Sequence, residues 1–252
     1  MKYRSIRFLL NGETIEVHAT DPTRTLLQYV RETQRLTGTK EGCAEGDCGA
    51  CTVVIGELVG EALSTQTVNA CIQFLPTLDG KAVFTVEFLR RSTGDLHPCQ
   101  QALVDYHGSQ CGFCTPGFVM SLWDQYNQHR EAGTRPTRHE LATSLSGNLC
   151  RCTGYRPILD AGEAMFDQPP VRFDRAAVVQ ALKAIQQPQT LNLSYRGKGY
   201  HAPRSLGELL ELRRFNPEAT LLAGATDIGL WVNKQFRDLG DIIYLGDVPE
   251  LK

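Results

Sequence analysis

Gly42-Cys43-Ala44-Glu45-Gly46-Asp47-Cys48-Gly49-Ala50-Cys51 sets three cysteines and three glycines in ten residues. Neither the two-residue period of a strand nor the 3.6-residue period of a helix runs through it, so the stretch reads as a loop. Thiols spaced Cys-x4-Cys-x2-Cys imply that the loop is wrapped around something. The glycines fit that reading. A loop that turns its backbone N–H groups toward sulfur needs positive φ and close approach, and glycine gives both at least steric cost.

This spacing suits a 2Fe-2S cluster whose fourth cysteine comes later in the chain, and Cys71 is available for that position. A structural zinc site is the alternative. Zinc ribbons favour paired Cys-x2-Cys units, whereas here four residues separate the first two cysteines and the fourth stands alone, which favours iron–sulfur. The chain has nine cysteines. In a reducing compartment they read as metal ligands rather than disulfides, and an odd count fits full pairing poorly. Eight fall into two groups, Cys43, Cys48, Cys51 and Cys71, then Cys111, Cys114, Cys150 and Cys152. Cys99 is left over and reads as a small buried hydrophobe.

The 252 residues suggest roughly one to three domains. A hydrophobic share of 42%, a charged share of 21% and a net charge of −2 describe an ordinary soluble chain and give no reason to expect a nucleic acid or an anionic membrane as partner. The apolar run at Ile6–Leu10 is too short for a signal peptide, and no stretch approaches a membrane span, so cytoplasm is the expected location.

Around the loop, residues 1–90 read as a small mixed sheet crossed by a helix. Ile6–Leu10 and Thr14–His18 form a hairpin about Asn11-Gly12. Thr25–Glu32 suits a short helix, and Thr52–Ile55 and Val83–Val86 are strands. Residues 91–166 read as four helices. His97-Pro98 opens the first and Thr115, as N-cap before Pro116, the second. The second turns Phe118, Val119, Leu122 and Trp123 inward. Thr137-Arg138-His139-Glu140 is a capping box for the third, which runs to Leu145, and the last covers Pro157–Phe166. Cys111 and Cys114 precede a helix N-terminus, whose partial positive charge favours thiolate. Cys150 and Cys152 cannot share a helical face and belong to a turn. Two cysteines from each junction make a second four-thiolate site.

Residues 167–198 read as a linker with one helical patch, Ala176–Ile185, and residues 199–252 as the start of a further α+β domain. Ser205–Glu208 is a second capping box. There Leu221-Leu222-Ala223-Gly224-Ala225-Thr226-Asp227 runs from a strand through a small-residue turn into a helix, where N–H groups can hold a pyrophosphate. Alone this is a weak signal.

The ferredoxin-like spacing, Gly108-Ser109-Gln110-Cys111-Gly112-Phe113-Cys114-Thr115-Pro116-Gly117-Phe118 and Gly147-Asn148-Leu149-Cys150-Arg151-Cys152-Thr153-Gly154-Tyr155-Arg156-Pro157 together resemble the molybdenum hydroxylase family over about residues 3–166. That family includes xanthine dehydrogenases, aldehyde oxidases and carbon monoxide dehydrogenases. The resemblance implies an α+β architecture: an N-terminal plant-type ferredoxin (β-grasp) domain, a four-helix 2Fe-2S domain and then the beginning of an FAD-binding domain, with Leu221–Asp227 as its first FAD-holding segment. It also implies that Gln110 and the Cys150-Arg151-Cys152 turn face a molybdopterin carried by a large partner subunit.

Because cluster domains and an FAD segment share one chain, the arrangement is most similar to the iron–sulfur/FAD subunit of two-subunit bacterial xanthine dehydrogenases. The resemblance then implies electron flow from molybdopterin through the second-domain cluster, the Cys43 cluster and FAD to NAD, in a dimer of heterodimers. About sixty residues are few for enclosing FAD, so the remainder of that domain is expected elsewhere. The six histidines are scattered, and no catalytic constellation is expected in the chain itself. A non-redox zinc module, a free-standing ferredoxin-like carrier and another molybdenum hydroxylase are the competing readings.

Overall fold

The computed structural model describes residues 3–91 and 93–251. Its first sheet has five strands in the order β2-β1-β5-β3-β4. These are β1 Ile6–Leu10, β2 Glu13–Val17, β3 Thr52–Val59, β4 Ala62–Asn69 and β5 Ala82–Phe84. β1 runs parallel to β5, with Leu9 opposite Ala82, and the other pairings are antiparallel. The hairpin about Asn11-Gly12 forms as its sequence predicts, with φ of 53° and 91° at the two turn residues.

The continuous apolar runs in β1 and β3 follow from burial on both faces. Phe8, Val53, Ile55 and Val83 point into one core; Leu9, Val54, Ala82 and Phe84 point into another. The first core holds α1 (Leu26–Gln28) and its continuation Tyr29–Thr33, a π turn where the sequence suggests a plain helix. Thr25 caps α1 with a full capping box to Gln28. The strand expected at Val83–Val86 ends at Phe84, and Val86–Leu89 is a 3-10 turn. That turn lets Phe88 join Phe84, Trp123 and Phe173 in an aromatic cluster with centroids 4.8 to 6.1 Å apart.

The second core is covered by the four expected helices, α2 Pro98–Asp105, α3 Thr115–Ala132, α4 Arg138–Ser144 and α5 Arg156–Ala164. Phe118, Val119, Leu122 and Trp123 are buried as predicted, and Cys99 is fully buried. Thr137 makes its capping box. Thr115 does not cap α3: Cys114 is the N-cap, Thr115 is already helical, and its hydroxyl meets Ser109 Oγ at 2.7 Å.

The segment between α5 and the C-terminal sheet is less of a tether than expected. Its helix α6 (Arg175–Ile185) buries Leu182 and Ile185 in the second core, against sheet one. The second sheet starts at Leu191, inside the stretch that the sequence assigns to linker. Its order is β6-β7-β9-β8, with β6 Leu191–Tyr195, β7 Lys198–Ala202, β8 Thr220–Leu222 and β9 Ile242–Tyr244. Helices α7 (Leu206–Phe215) and α8 (Ile228–Asn233) complete this part. Ser205 caps α7, but the Glu208 carboxylate accepts from the Arg204 N–H and the Thr190 hydroxyl, so the predicted capping box is half made.

The C-terminal part shares the first core through Leu191, Leu193, Tyr200, Ala202 and Leu222. A buried ion network fastens it. Asp79 accepts two hydrogen bonds from Arg4 (3.0 and 2.7 Å), one from Arg204 (2.7 Å) and one from the Arg7 N–H (3.0 Å). Arg204 also pairs with Asp247 at 2.9 Å.

Candidate functional site

The loop quoted first is built as a basket of N–H groups. Cys43 and Cys48 each donate their N–H to the other's Sγ at 3.4 Å. Glu45 N–H points at Cys43 Sγ (3.4 Å) and Gly46 N–H at Cys71 Sγ (3.2 Å). The bends that aim these donors sit at positive φ: Ala44, Gly46 and Gly49 at 57°, 82° and 69°. Gly49 has a second reason to lack a side chain, since a Cβ there would lie 2.2 Å from the Gly147 carbonyl oxygen. Asn69 Nδ2 holds the loop from outside through the Gly46 carbonyl (2.6 Å).

The eight candidate thiols meet two by two. Cys43 contacts Cys48 and Cys51 contacts Cys71; in the second site Cys111 contacts Cys152 and Cys114 contacts Cys150. Among the described residues, no three His, Cys, Asp or Glu side chains converge closely enough for a single ion. Pairs rather than tight quartets suit a binuclear cluster, in which each iron takes two thiolates, better than one tetrahedral zinc. The donor set therefore fits two 2Fe-2S clusters.

Local fields split each pair: Cys43, Cys51, Cys111 and Cys150 are lowered, and their partners Cys48, Cys71, Cys152 and Cys114 are raised. Burial raises Cys43, but the N–H groups of Glu45 and Cys48 outweigh it and hold the thiol below its ordinary value. The hydrogen bond with Cys51, then burial, pushes Cys71 up. Cys111 is lowered, first by the Phe113 N–H and then by Cys152. Burial raises Cys150, yet the Thr153 hydroxyl at 3.1 Å and nearby N–H groups leave it lowered. Cys114 is pushed up to about 12 by burial and by Cys150.

The two sites differ in exposure. In the first, Cys51 and Cys71 are 2% exposed and Cys43 and Cys48 are half-buried; in the second, Cys150 is buried and Cys114 half-buried, while Cys111 and Cys152 lie on the surface with Gln110, Arg151, Phe113 and Leu149. The flavin-segment candidates run from the end of β8 through the turn that follows it. Leu222 and Ala225 are buried, and Leu221, Ala223, Gly224, Thr226 and Asp227 are exposed. Ala225 takes a positive φ of 61°, and open space surrounds Gly224. Beyond the turn, α8 is fastened to the first thiol site: Asn233 Nδ2 donates to the carbonyls of Cys71 (2.7 Å) and Ala44 (2.9 Å), and Lys234 pairs with Glu45 at 2.7 Å.

Asn69, Asn148 and Asn233 bind these loops together and escape a reading of the sequence. Each acts on a carbonyl far away in the chain, and an asparagine with a distant partner looks like any loop asparagine. Asn148 alone stood inside a quoted motif, without a role.

Three family models match the chain: a 2Fe-2S iron–sulfur cluster binding domain over residues 8–75, a 2Fe-2S binding domain over 85–163 and an FAD binding domain in molybdopterin dehydrogenase over 193–252. Xanthine dehydrogenase of Emericella nidulans is 34% identical across 98% of this chain, and aldehyde oxidase 1 of Oryctolagus cuniculus is 48% identical across 61% of it. These alignments cover 21% and 11% of those proteins, so the chain spans about a fifth or less of their length. Among solved structures, quinoline 2-oxidoreductase from Pseudomonas putida 86 aligns with a TM-score of 0.53 and 31% identity, covering 73% of this chain and 98% of that one. Aldehyde oxidoreductase from Desulfovibrio gigas aligns with a TM-score of 0.54 and 29% identity, covering 73% and 18%.

Proposed function

The chain belongs to the molybdenum hydroxylase family, as its iron–sulfur and FAD-binding portion, and we propose that it passes electrons from a molybdopterin site on a partner polypeptide to FAD and NAD, in the manner of a xanthine dehydrogenase. Cys43, Cys48, Cys51 and Cys71 hold one 2Fe-2S cluster, and Cys111, Cys114, Cys150 and Cys152 hold the other. Leu221–Asp227 holds part of the flavin. Bound clusters supply one-electron storage, and bound flavin converts single electrons into a hydride.

The observation that carries this reading is the difference in exposure between the two thiol sites. An exposed site rimmed by Gln110, Arg151, Phe113 and Leu149 suits contact with a pterin-bearing partner. The less exposed site, hydrogen-bonded to α8 through Asn233, suits delivery to the flavin segment. The chain's residues do positional and electrostatic work. Backbone N–H groups would compensate the negative charge that eight thiolates and bridging sulfides concentrate, and Cys51 and Cys71 are buried in the first core. The domain limits proposed are 1–90 and 91–166, with the FAD part taken from Leu191.

Cys111→Ser tests the assignment. It is expected to remove the second-site cluster and block NAD reduction by a purine substrate, while the Cys43-site cluster and flavin reduction by NADH persist. Unimpaired NAD reduction in this variant would contradict the assigned order. In the wild-type protein, turnover of purines with refusal of aldehydes would support the xanthine-oxidising reading, and the reverse would support an aldehyde-oxidising one.

A further inference from the structure

The two thiol sites meet at one buried junction. The Leu149 N–H donates to the Cys48 carbonyl at 2.9 Å, so the residue before Cys150 is hydrogen-bonded to the backbone of a cysteine in the other site. Asn148, 3% exposed, stands beside this bond. Its Nδ2 donates to the Gly49 carbonyl and to Thr52 Oγ1, each at 3.0 Å, and its Oδ1 accepts from Ser121 Oγ at 2.7 Å. One amide thereby ties the first thiol loop, the start of β3, helix α3 and the second-site turn. The backbones can come this close because Gly49 and Gly117 lack side chains; a Cβ on either would lie 2.2 Å from a carbonyl oxygen of the facing segment. A polar cavity of about 140 Å³, lined in part by Thr52, Asn69 and Ser121, borders the amide. A looser junction would admit water from there.

We propose that Asn148 is a positioning residue for electron passage between the two sites, because it holds the Leu149 N–H on the Cys48 carbonyl where the two sites' backbones meet. This rests on the reading of both thiol sets as 2Fe-2S ligands. In the step one electron leaves the reduced second-site cluster and reduces the oxidised first-site cluster; no bond is made or broken and no proton moves. Electron tunnelling decays less steeply along covalent and hydrogen bonds than across a van der Waals gap. A hydrogen bond that closes the gap between two cysteine ligands therefore governs the coupling, and the amide that holds it closed governs its persistence. A fully partnered buried amide has one preferred geometry, whereas an apolar side chain of similar size fills the volume without fixing it.

The test uses the full, cluster-loaded protein with its partner. Asn148→Leu removes all three hydrogen bonds without adding charge, and Ser121→Ala removes the one bond that Ser121 donates to Asn148. The first readout is iron content. The second is the spin–spin splitting in the EPR spectrum of the fully reduced protein, which falls steeply with separation and does not depend on turnover. The third is the rate of electron redistribution between clusters after rapid photoreduction. The expected result is wild-type iron in both variants, with partial loss of splitting and slowed redistribution in Asn148→Leu and a smaller change of the same sign in Ser121→Ala. Should Asn148→Leu not fold, Ser121→Ala decides alone. Wild-type splitting and rate in every folded variant would overturn the role of Asn148 while leaving the cluster assignment intact. A wild-type protein that carries fewer than two clusters would overturn the underlying reading instead.

Discussion

Gly117→Ala should separate the two thiol-bearing regions by force of sterics alone. Gly117 lies in the first turn of α3, and an added Cβ would sit 2.2 Å from the Gly49 carbonyl oxygen. Ordinary contact needs about 3.5 Å, so helix or loop must retreat by roughly 1.3 Å, the difference between the two. Both neighbours are backbone and neither can swing aside as a side chain would. Overpacking of this kind costs about 1–3 kcal/mol. The hydrogen bond from Asn148 to the Gly49 carbonyl is disturbed with it, at about 1 kcal/mol. The opposing gain from replacing a helical glycine by alanine is at most about 1 kcal/mol. Overpacking wins, and a net loss of about 1–3 kcal/mol is expected, or roughly 2–4 °C in Tm for each kcal/mol. Gly147→Ala, in the same junction but with nothing within 4 Å of its Cβ, is the control and should stay within about 0.5 kcal/mol of wild type. Urea titrations of the cluster-loaded proteins measure both. Equal midpoints for Gly117→Ala and Gly147→Ala would refute the claim that a glycine-lined close approach holds the junction.

Asp79→Ala leaves Arg4 and Arg204 without their shared carboxylate and should cost about 3 kcal/mol, the low end for breaking a buried ion pair because Arg204 keeps Asp247. Urea titration reads the loss, and limited proteolysis should locate new cleavage within residues 186–205. Acid should weaken the fold through His97, whose value burial and then the Arg91 charge lower from 6.5 to about 4. The unfolded chain takes up that proton first, so the contribution is whole above pH 6.5 and is lost as pH falls toward about 4, by up to roughly 3 kcal/mol at about 1.4 kcal/mol per unit. His97→Asn keeps a cap acceptor for the Cys99 N–H and should flatten denaturation midpoints across that window; an unchanged slope would exclude His97 as the cause.

Much of this molecule is legible locally. Cysteine spacing locates both thiol sites, Asn11-Gly12 and Thr137–Glu140 locate a turn and a cap, and helix periodicity identifies the buried face of α3. The failures have physical reasons. Strand β4 escapes because Ser64, Thr65, Gln66 and Thr67 leave it few apolar positions; it is held by its full register on β3. Cys114 displaces Thr115 as N-cap because the thiol loop, not the helix, sets the backbone there. Strand β6 reads as linker although Leu191-Asn192-Leu193-Ser194-Tyr195 alternates apolar and polar; five residues after the Gln186–Gln189 stretch are a short signal, and pairing with β7 defines the strand. The asparagines at the loop junctions bond across long sequence separations, a relation no local pattern carries.

The central claim is that eight cysteines form two binuclear clusters. Iron, zinc and labile sulfide analysis of the purified protein, read together with EPR of the dithionite-reduced sample, tests it most directly. The account predicts about four iron and four sulfide per chain, no stoichiometric zinc and two distinct reduced-state signals. Stoichiometric zinc without sulfide, or a single signal with half the iron, would contradict it.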